Sequence, residues 1–171
     1  MVWSMRRALR SGSLAVTLFA GVATFAWHAG GLGAVPESLS DAAPMSREEA
    51  EGIIFERQQL MLELDEDTKT LGMIAAGSAP VKDLGRTTRA IAEAARESVT
   101  AFEQRVPGGR STPEVWAQYG KFMDDMRDFA RNAEEMAKAG EAGNLSAVVN
   151  LMIVALPCKQ CHDRYRGPAP S

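Results

Sequence analysis

The chain has 171 residues, of which 46% are hydrophobic and 24% are charged, and its formal net charge is −3 at pH 7. This length suits one domain of ordinary size with a buried core. The acidic balance excludes the basic surface that binding of nucleic acid requires, so we expect no nucleic-acid partner.

Residues 1–34 have the pattern of an export signal. Three arginines among the first ten residues precede an uncharged apolar run at 14–27, and small residues that suit cleavage lie at 29–34. The alternative is an uncleaved membrane anchor, because residues 11–35 carry no fixed charge and are long enough to span a bilayer. In either case we expect the folded part to lie in the periplasm. Cleavage would leave 16 of the 19 basic residues against 22 acidic residues.

Residues 35–45 are small, polar and proline-bearing, which is typical of a tether. The domain is predicted to occupy residues 46–166, with a short tail at 167–171. Within the domain, apolar residues recur at helical spacing, and no segment alternates with the period of two that a strand requires. The predicted fold class is therefore all-α.

The first two predicted helices are separated by a proline. The first begins at Ser46, where Glu49 three residues later completes a capping box, and ends before Pro80. The second extends from near Pro80 to the break at Pro107, although Gly85 and several threonines lower its helix propensity.

The third predicted helix has Thr112 as its N-cap and Pro113 in its first turn, and it continues to the turn at Gly140. Its apolar face includes Phe122, Met126 and Phe129. Asn144 can cap a fourth helix that leads into the C-terminal motif. Four amphipathic helices with short connections predict an antiparallel up-down-up-down four-helix bundle.

The fourth helix carries Cys158-Lys159-Gln160-Cys161-His162, the pattern of c-type haem attachment. In a helix these three side chains leave one face, so both thiols can add to haem vinyl groups while the imidazole reaches the iron. The alternatives are a thioredoxin-like redox pair, a structural disulfide or half of a zinc site. The redox pair lacks a βαβ surround, and zinc needs a further ligand, for which only His28 in the export segment remains. The motif favours one covalently bound haem c, with Cys158 and Cys161 as attachment residues and His162 as axial ligand.

The position of this motif near the end of a four-helix pattern resembles the cytochrome c′ family. Three further stretches match that family in order. Arg57-Gln58-Gln59-Leu60-Met61 resembles its first-helix haem-side motif, Leu71-Gly72-Met73-Ile74-Ala75-Ala76-Gly77 resembles the end of the same helix, and Pro113-Glu114-Val115-Trp116 resembles the start of its third helix. The resemblance covers the whole mature domain and is closest to the low-spin, methionine-ligated branch, the cytochrome c-556 type. It implies a haem-bearing four-helix bundle that can form a homodimer.

The resemblance also implies the residue on the distal face of the haem. In the family this is the fourth residue after the first-helix arginine, and here it is Met61. A methionine there binds iron in the low-spin relatives, whereas a leucine or another non-ligating residue leaves the iron five-coordinate. The alternative is that Met61 only fills the core, as most methionines on a helical face do.

Two arginines are predicted to border the haem. Arg57 lies one turn before Met61 and could pair with a haem propionate or extend to the bundle edge, because an unpaired buried guanidinium is costly. Arg166 matches a family arginine near the proximal histidine, or else serves as a charge that stabilises the helix dipole. Pro157 departs from the small residues of the family and predicts a break in the helix just before Cys158.

These features favour a mono-haem electron carrier, not an enzyme, with His162 and Met61 as axial ligands and a redox protein as partner. The alternative is a five-coordinate protein that binds nitric oxide or carbon monoxide. A haem peroxidase is disfavoured because the distal side has no histidine to act as acid or base. We expect contact with a membrane only if residues 1–34 stay uncleaved.

Overall fold

The computed structural model describes residues 44–169, so the predicted export signal and most of the predicted tether lie outside the described residues. The helices are α1 (Arg47–Ala75), α2 (Leu84–Glu103), α3 (Pro113–Ala117), α4 (Tyr119–Glu141), α5 (Leu145–Ala155) and α6 (Cys158–Tyr165). A 3-10 turn at Val81–Asp83 precedes α2. Extended pairing within residues 44–169 is limited to one bridge between Ser111 and Arg166.

These helices form four antiparallel segments, the third made of α3 with α4 and the fourth of α5 with α6. Helix α1 packs on α2, α2 on α4, and α4 on α5. Segments that follow each other in sequence are therefore neighbours in space, as short connections require. The predicted all-α, up-down-up-down four-helix bundle is confirmed.

The core consists of two clusters. The larger is aliphatic, joins α1, α2, α4 and α5, and includes Leu71, Ile91, Ala133, Met136 and Val148. The smaller is mainly aromatic and includes Phe102, Val115, Phe122, Met126 and Tyr165. In this cluster the Phe122 ring lies edge-on to the rings of Phe102 and Tyr165, with centroid distances of 5.0 Å in both pairs. Such edge-to-face contacts stabilise aromatic pairs beyond their buried area and fix the end of α6 against α4.

Helix α1 begins with the predicted capping box. The Ser46 hydroxyl accepts a hydrogen bond of 3.2 Å from the Glu49 amide, and the Glu49 carboxylate accepts one of 2.7 Å from the Ser46 amide. Gly77, with a φ of 73°, follows the end of the helix in the left-handed conformation that glycine adopts without strain.

The residues that weaken α2 as a helix have a packing role. A Cβ atom at Gly140 of α4 would lie 2.0 Å from the Thr88 hydroxyl, and one at Gly85 would lie 3.2 Å from the Glu141 Cα. The buried Thr88 hydroxyl donates to the Leu84 carbonyl at 2.9 Å, so it needs no partner on α4. Small residues at these positions let α2 and α4 approach each other closely.

The third helix differs from the prediction, because it is interrupted after its first turns. Gln118, with φ −116° and ψ 36°, separates α3 from α4. Gly120, two residues later, lowers the helix propensity at this point. Thr112 is the N-cap, but its hydroxyl caps nothing and donates instead to the Arg164 carbonyl at 3.2 Å. The start of α3 is thereby linked to α6.

The break predicted before Cys158 is present. Helix α5 ends at Ala155, Leu156 has φ −124° and ψ 66°, and Pro157 is the N-cap of α6. Taken together, Leu145–Tyr165 has the length and mean hydropathy of a membrane-spanning helix. The proline divides it into helices of 11 and 8 residues, each shorter than the ~20 residues that a bilayer requires.

Arg57 of α1 is buried, with 4% of its surface exposed. Its guanidinium donates to the carbonyls of Ala101 at 3.0 Å and Val106 at 2.6 Å, and also to the carbonyl of Gln104. The guanidinium carbon also lies 4.4 Å from the ring centroid of Phe102. Arg57 therefore satisfies carbonyls around the C-terminus of α2, where a positive charge is favourable.

This arrangement was not predicted. Of the two alternatives for Arg57, extension to the bundle edge is wrong, because its guanidinium is buried and donates to backbone carbonyls. Pairing with a haem propionate stays a prediction. Burial lowers the pKa of Arg57 from its ordinary value, yet an arginine stays charged in proteins. Arg57 thus joins α1 to the loop between α2 and α3.

The contact between α2 and α4 predicts that Gly140→Ala destabilises the bundle. The added methyl group would overlap Thr88, and overpacking of this kind costs about 1–3 kcal/mol. The control is Gly120→Ala on the same helix, where a Cβ meets nothing within 4 Å. Thermal unfolding should give a lower Tm for Gly140→Ala alone, and equal Tm values for both variants would contradict this packing.

The bonds of Arg57 predict that Arg57→Met lowers the free energy of unfolding by about 3 kcal/mol, since three carbonyls lose their donor. Arg47→Met is the control, because Arg47 lies on the same helix but is exposed and pairs only with Glu51. That change should stay within about 0.5 kcal/mol. Denaturant titration measures both, and a loss no larger than that of the control would show that Arg57 does not stabilise the loop.

Candidate haem site

A cavity of about 740 Å³ is lined by residues of α1, α4, α6 and the loop between α2 and α3. This volume lies in the range of ~300–1,000 Å³ typical of ligand sites. Its apolar walls come from both core clusters. All six residues predicted for the site line this one cavity: Arg57, Met61, Cys158, Cys161, His162 and Arg166.

The two cysteines lie on α6 as free thiols, Cys158 exposed and Cys161 half-buried. Because α6 is helical over 158–165, both thiols and His162 leave the same side of the helix. Desolvation raises the pKa of both thiols, so they are protonated at neutral pH. Each thiol therefore carries the hydrogen that addition across a vinyl group transfers to carbon.

The ring of His162 is half-buried beside two cationic side chains. Desolvation, followed by the positive charges of Arg166 and Arg110, lowers the pKa of His162 below its ordinary value. The imidazole is therefore neutral at neutral pH, which is the form that binds a metal ion. Arg166 follows α6, is exposed, and lines the cavity.

Met61 lies on α1 and is partly buried at the cavity wall, one turn after Arg57. Helix α4 contributes a second methionine to the cavity, Met126, together with the side chains of Phe122 and Phe129. The sequence pattern predicts Met126 only as part of an apolar helix face. Which cavity that face borders depends on the packing of α4 against α1 and α6.

The loop between α2 and α3 forms another wall, which the sequence analysis missed. Gly108, with φ 142°, and Gly109, with φ 61°, pass close to α1, where a Cβ at Gly108 would lie 2.4 Å from the Ile54 Cδ1 atom. Only glycine permits both this conformation and this approach. Arg110 and Ser111 follow along the same wall, and a pair of glycines between two helices was the one local signal for it.

The residues present fit haem c. Two free thiols at helical spacing, a neutral imidazole beside them and apolar walls are the groups that covalent attachment, iron ligation and burial of the macrocycle require. The alternatives to haem fit poorly. The two cysteines form no disulfide, and among residues 44–169 no group of three or more His, Cys, Asp or Glu side chains could hold a metal ion.

Known proteins similar to this chain agree with that fit. The sequence model of the family described as Cytochrome C' matches residues 52–166. Cytochrome c' from Alcaligenes xylosoxydans xylosoxydans is 33% identical over 67 residues, which are 39% of this chain and 53% of that protein, so the match spans about half of that relative. Cytochrome c-556 from Rhodopseudomonas palustris is 24% identical over 141 residues, which are 75% of this chain and 89% of that protein.

Solved structures share the fold. The reduced structure of an arginine-to-alanine mutant of cytochrome c' from Alcaligenes xylosoxidans has a TM-score of 0.64 at 21% identity, over 70% of this chain and 97% of that one. A nitric oxide complex of a leucine-to-valine mutant from the same organism has a TM-score of 0.63 at 22% identity, over 70% and 97% of the two chains. The match over residues 52–166 shows that this chain belongs to the cytochrome c′ family, whose members carry covalently bound haem c and transfer electrons or bind gases.

Proposed function

We propose that this protein is a periplasmic electron carrier whose haem c is attached through Cys158 and Cys161 and whose iron has His162 and Met61 as axial ligands. The observation that carries the proposal is that Met61 from α1 and His162 from α6 line one cavity. A thioether and an imidazole together form the ligand pair of low-spin electron carriers and raise the reduction potential.

The residues that line the cavity have separate roles in this function. Bound haem supplies a one-electron couple. Cys158 and Cys161 would hold the macrocycle through thioether bonds, and the neutral imidazole of His162 and the thioether of Met61 would both bind the iron, which would leave no site for a substrate. Phe122 and Tyr165 of the aromatic cluster line the cavity with buried apolar surface, which suits one side of the macrocycle. The periplasm is the compartment that the predicted export signal implies, and a redox protein is the partner that this role implies.

A second candidate is a five-coordinate protein that binds nitric oxide. The observation in its favour is that several similar solved structures are nitric oxide complexes of cytochrome c'. Against it stands Met61 in the cavity wall. One curated relative that aligns over 89% of its length is a cytochrome c-556, the type that the sequence resembles most.

Covalent attachment predicts the mass of the exported protein. Intact-mass analysis should give the chain plus one haem, and acid-acetone extraction should not remove it, because thioether bonds survive acid. The double variant Cys158→Ala with Cys161→Ala should lose its haem in the same extraction. Release of haem from the unaltered protein would contradict attachment at these cysteines.

Ligation by Met61 predicts low-spin iron in the ferric protein and slow binding of carbon monoxide by the reduced, ferrous protein, since the gas must displace a ligand. Met61→Leu conserves volume at a cost under ~1.5 kcal/mol, so the fold should persist while the iron becomes high-spin and binds carbon monoxide readily. Met126→Leu is the matched control in the same cavity and should leave both properties unchanged. Absorption spectra and stopped-flow binding measure them, and high-spin iron before and after Met61→Leu would support the gas-binding candidate instead.

A further inference from the structure

Arg110 lines the same cavity as His162 and is the second arginine whose positive charge acts on that imidazole, and neither the sequence pattern nor the proposed function accounts for it. It lies in the loop between α2 and α3 and lines the cavity. It is half-buried, and its side chain is not among the ion pairs of residues 44–169. Its partners are instead in the backbone that follows α6.

Two hydrogen bonds join the Arg110 guanidinium to Gly167, the residue after Arg166. Its Nε and Nη2 atoms donate to the Gly167 carbonyl at 3.1 and 2.8 Å. The Gly167 amide donates in return to the Arg110 carbonyl at 2.7 Å. Gly167, the first residue of the predicted tail at 167–171, therefore has hydrogen bonds to Arg110 through both its carbonyl and its amide.

This pairing belongs to a short seam between the loop and the end of α6. The Thr112 amide donates to the Tyr165 carbonyl at 3.0 Å, and Ser111 pairs with Arg166. Helix α6 has only eight residues and is separated from α5 by Pro157. Its orientation therefore depends on contacts at its C-terminal end, and the Arg110 pairing closes that end.

We propose that Arg110 is a positioning residue for the haem: it locks the cavity loop to the chain that follows α6, and it places a fixed positive charge on the side of His162. This proposal rests on the proposed function. A nearby positive charge stabilises the reduced, less positive iron more than the oxidised iron, so it raises the reduction potential. The lock holds the imidazole and that charge at a constant separation.

Three variants of the haem-loaded protein separate charge from hydrogen bonding. Arg110→Gln removes the charge, and Arg110→Lys keeps the charge but cannot donate twice from a planar fork. Arg105→Gln is the matched control, because Arg105 lies in the same loop, contacts the Tyr119 ring at 4.0 Å, and does not line the cavity.

The midpoint potential should fall in Arg110→Gln, fall by less in Arg110→Lys, which keeps a charge but not its fixed position, and stay near that of the unaltered protein in Arg105→Gln. Amide hydrogen exchange in a peptide covering 163–169 should become roughly tenfold faster in both Arg110 variants, because a bond from a charged donor is lost, and should not change in Arg105→Gln.

A potential in Arg110→Gln equal to that of Arg105→Gln would overturn the proposal, even if exchange became faster, since a purely structural residue gives that result. If amide hydrogen exchange at residues 163–169 is equal in Arg110→Gln and Arg105→Gln, the hydrogen bonds of Arg110 do not hold the chain that follows α6, and that part of the proposal is wrong. The intact mass of the unaltered protein is measured before the variants are compared, to test whether haem is covalently bound. A chain without covalently bound haem would overturn the proposed function, and this proposal with it.

Discussion

The haem site depends on the helix break at Pro157. A proline has no amide hydrogen and its ring collides with the preceding turn, so α5 cannot continue into the Cys158–Tyr165 helix. The motif is therefore carried by a separate short helix, whose position is set by Tyr165 in the aromatic cluster and by the seam to Thr112. Because α6 is not a continuation of α5, the two thiols and His162 can border a cavity that α1 lines on another side.

Two arginines that donate to backbone carbonyls, and not to carboxylates, form part of the walls of that cavity. Arg57 and Arg110 both use main-chain carbonyls as acceptors, among them that of Val106 after α2 and that of Gly167 after α6. These two bonds link the loop between α2 and α3 to α1 and to the end of α6, the helices that carry the proposed iron ligands. The loop can approach α1 because Gly108 and Gly109 have no side chains. The ligand-bearing helices are thus held through one loop.

Local signals predicted much of the fold and of the site. The capping box at Ser46, the break at Pro157 and the spacing of Cys158, Cys161 and His162 depend on residues within a few positions of each other. Helical periodicity gave the four segments of the bundle. It could not show that Gly85 and Gly140 permit close packing of α2 and α4, because that contact joins distant parts of the chain.

The features that sequence reasoning missed are long-range contacts. The acceptors of Arg57 lie 44 to 49 residues away and that of Arg110 lies 57 residues away, so no local pattern contains them.

X-ray absorption at the iron K edge of the unaltered ferric protein tests the central claim most directly, because it reports the atoms bound to iron. Ligation by Met61 and His162 predicts six-coordinate iron with one sulfur neighbour. Five-coordinate iron without sulfur would contradict it.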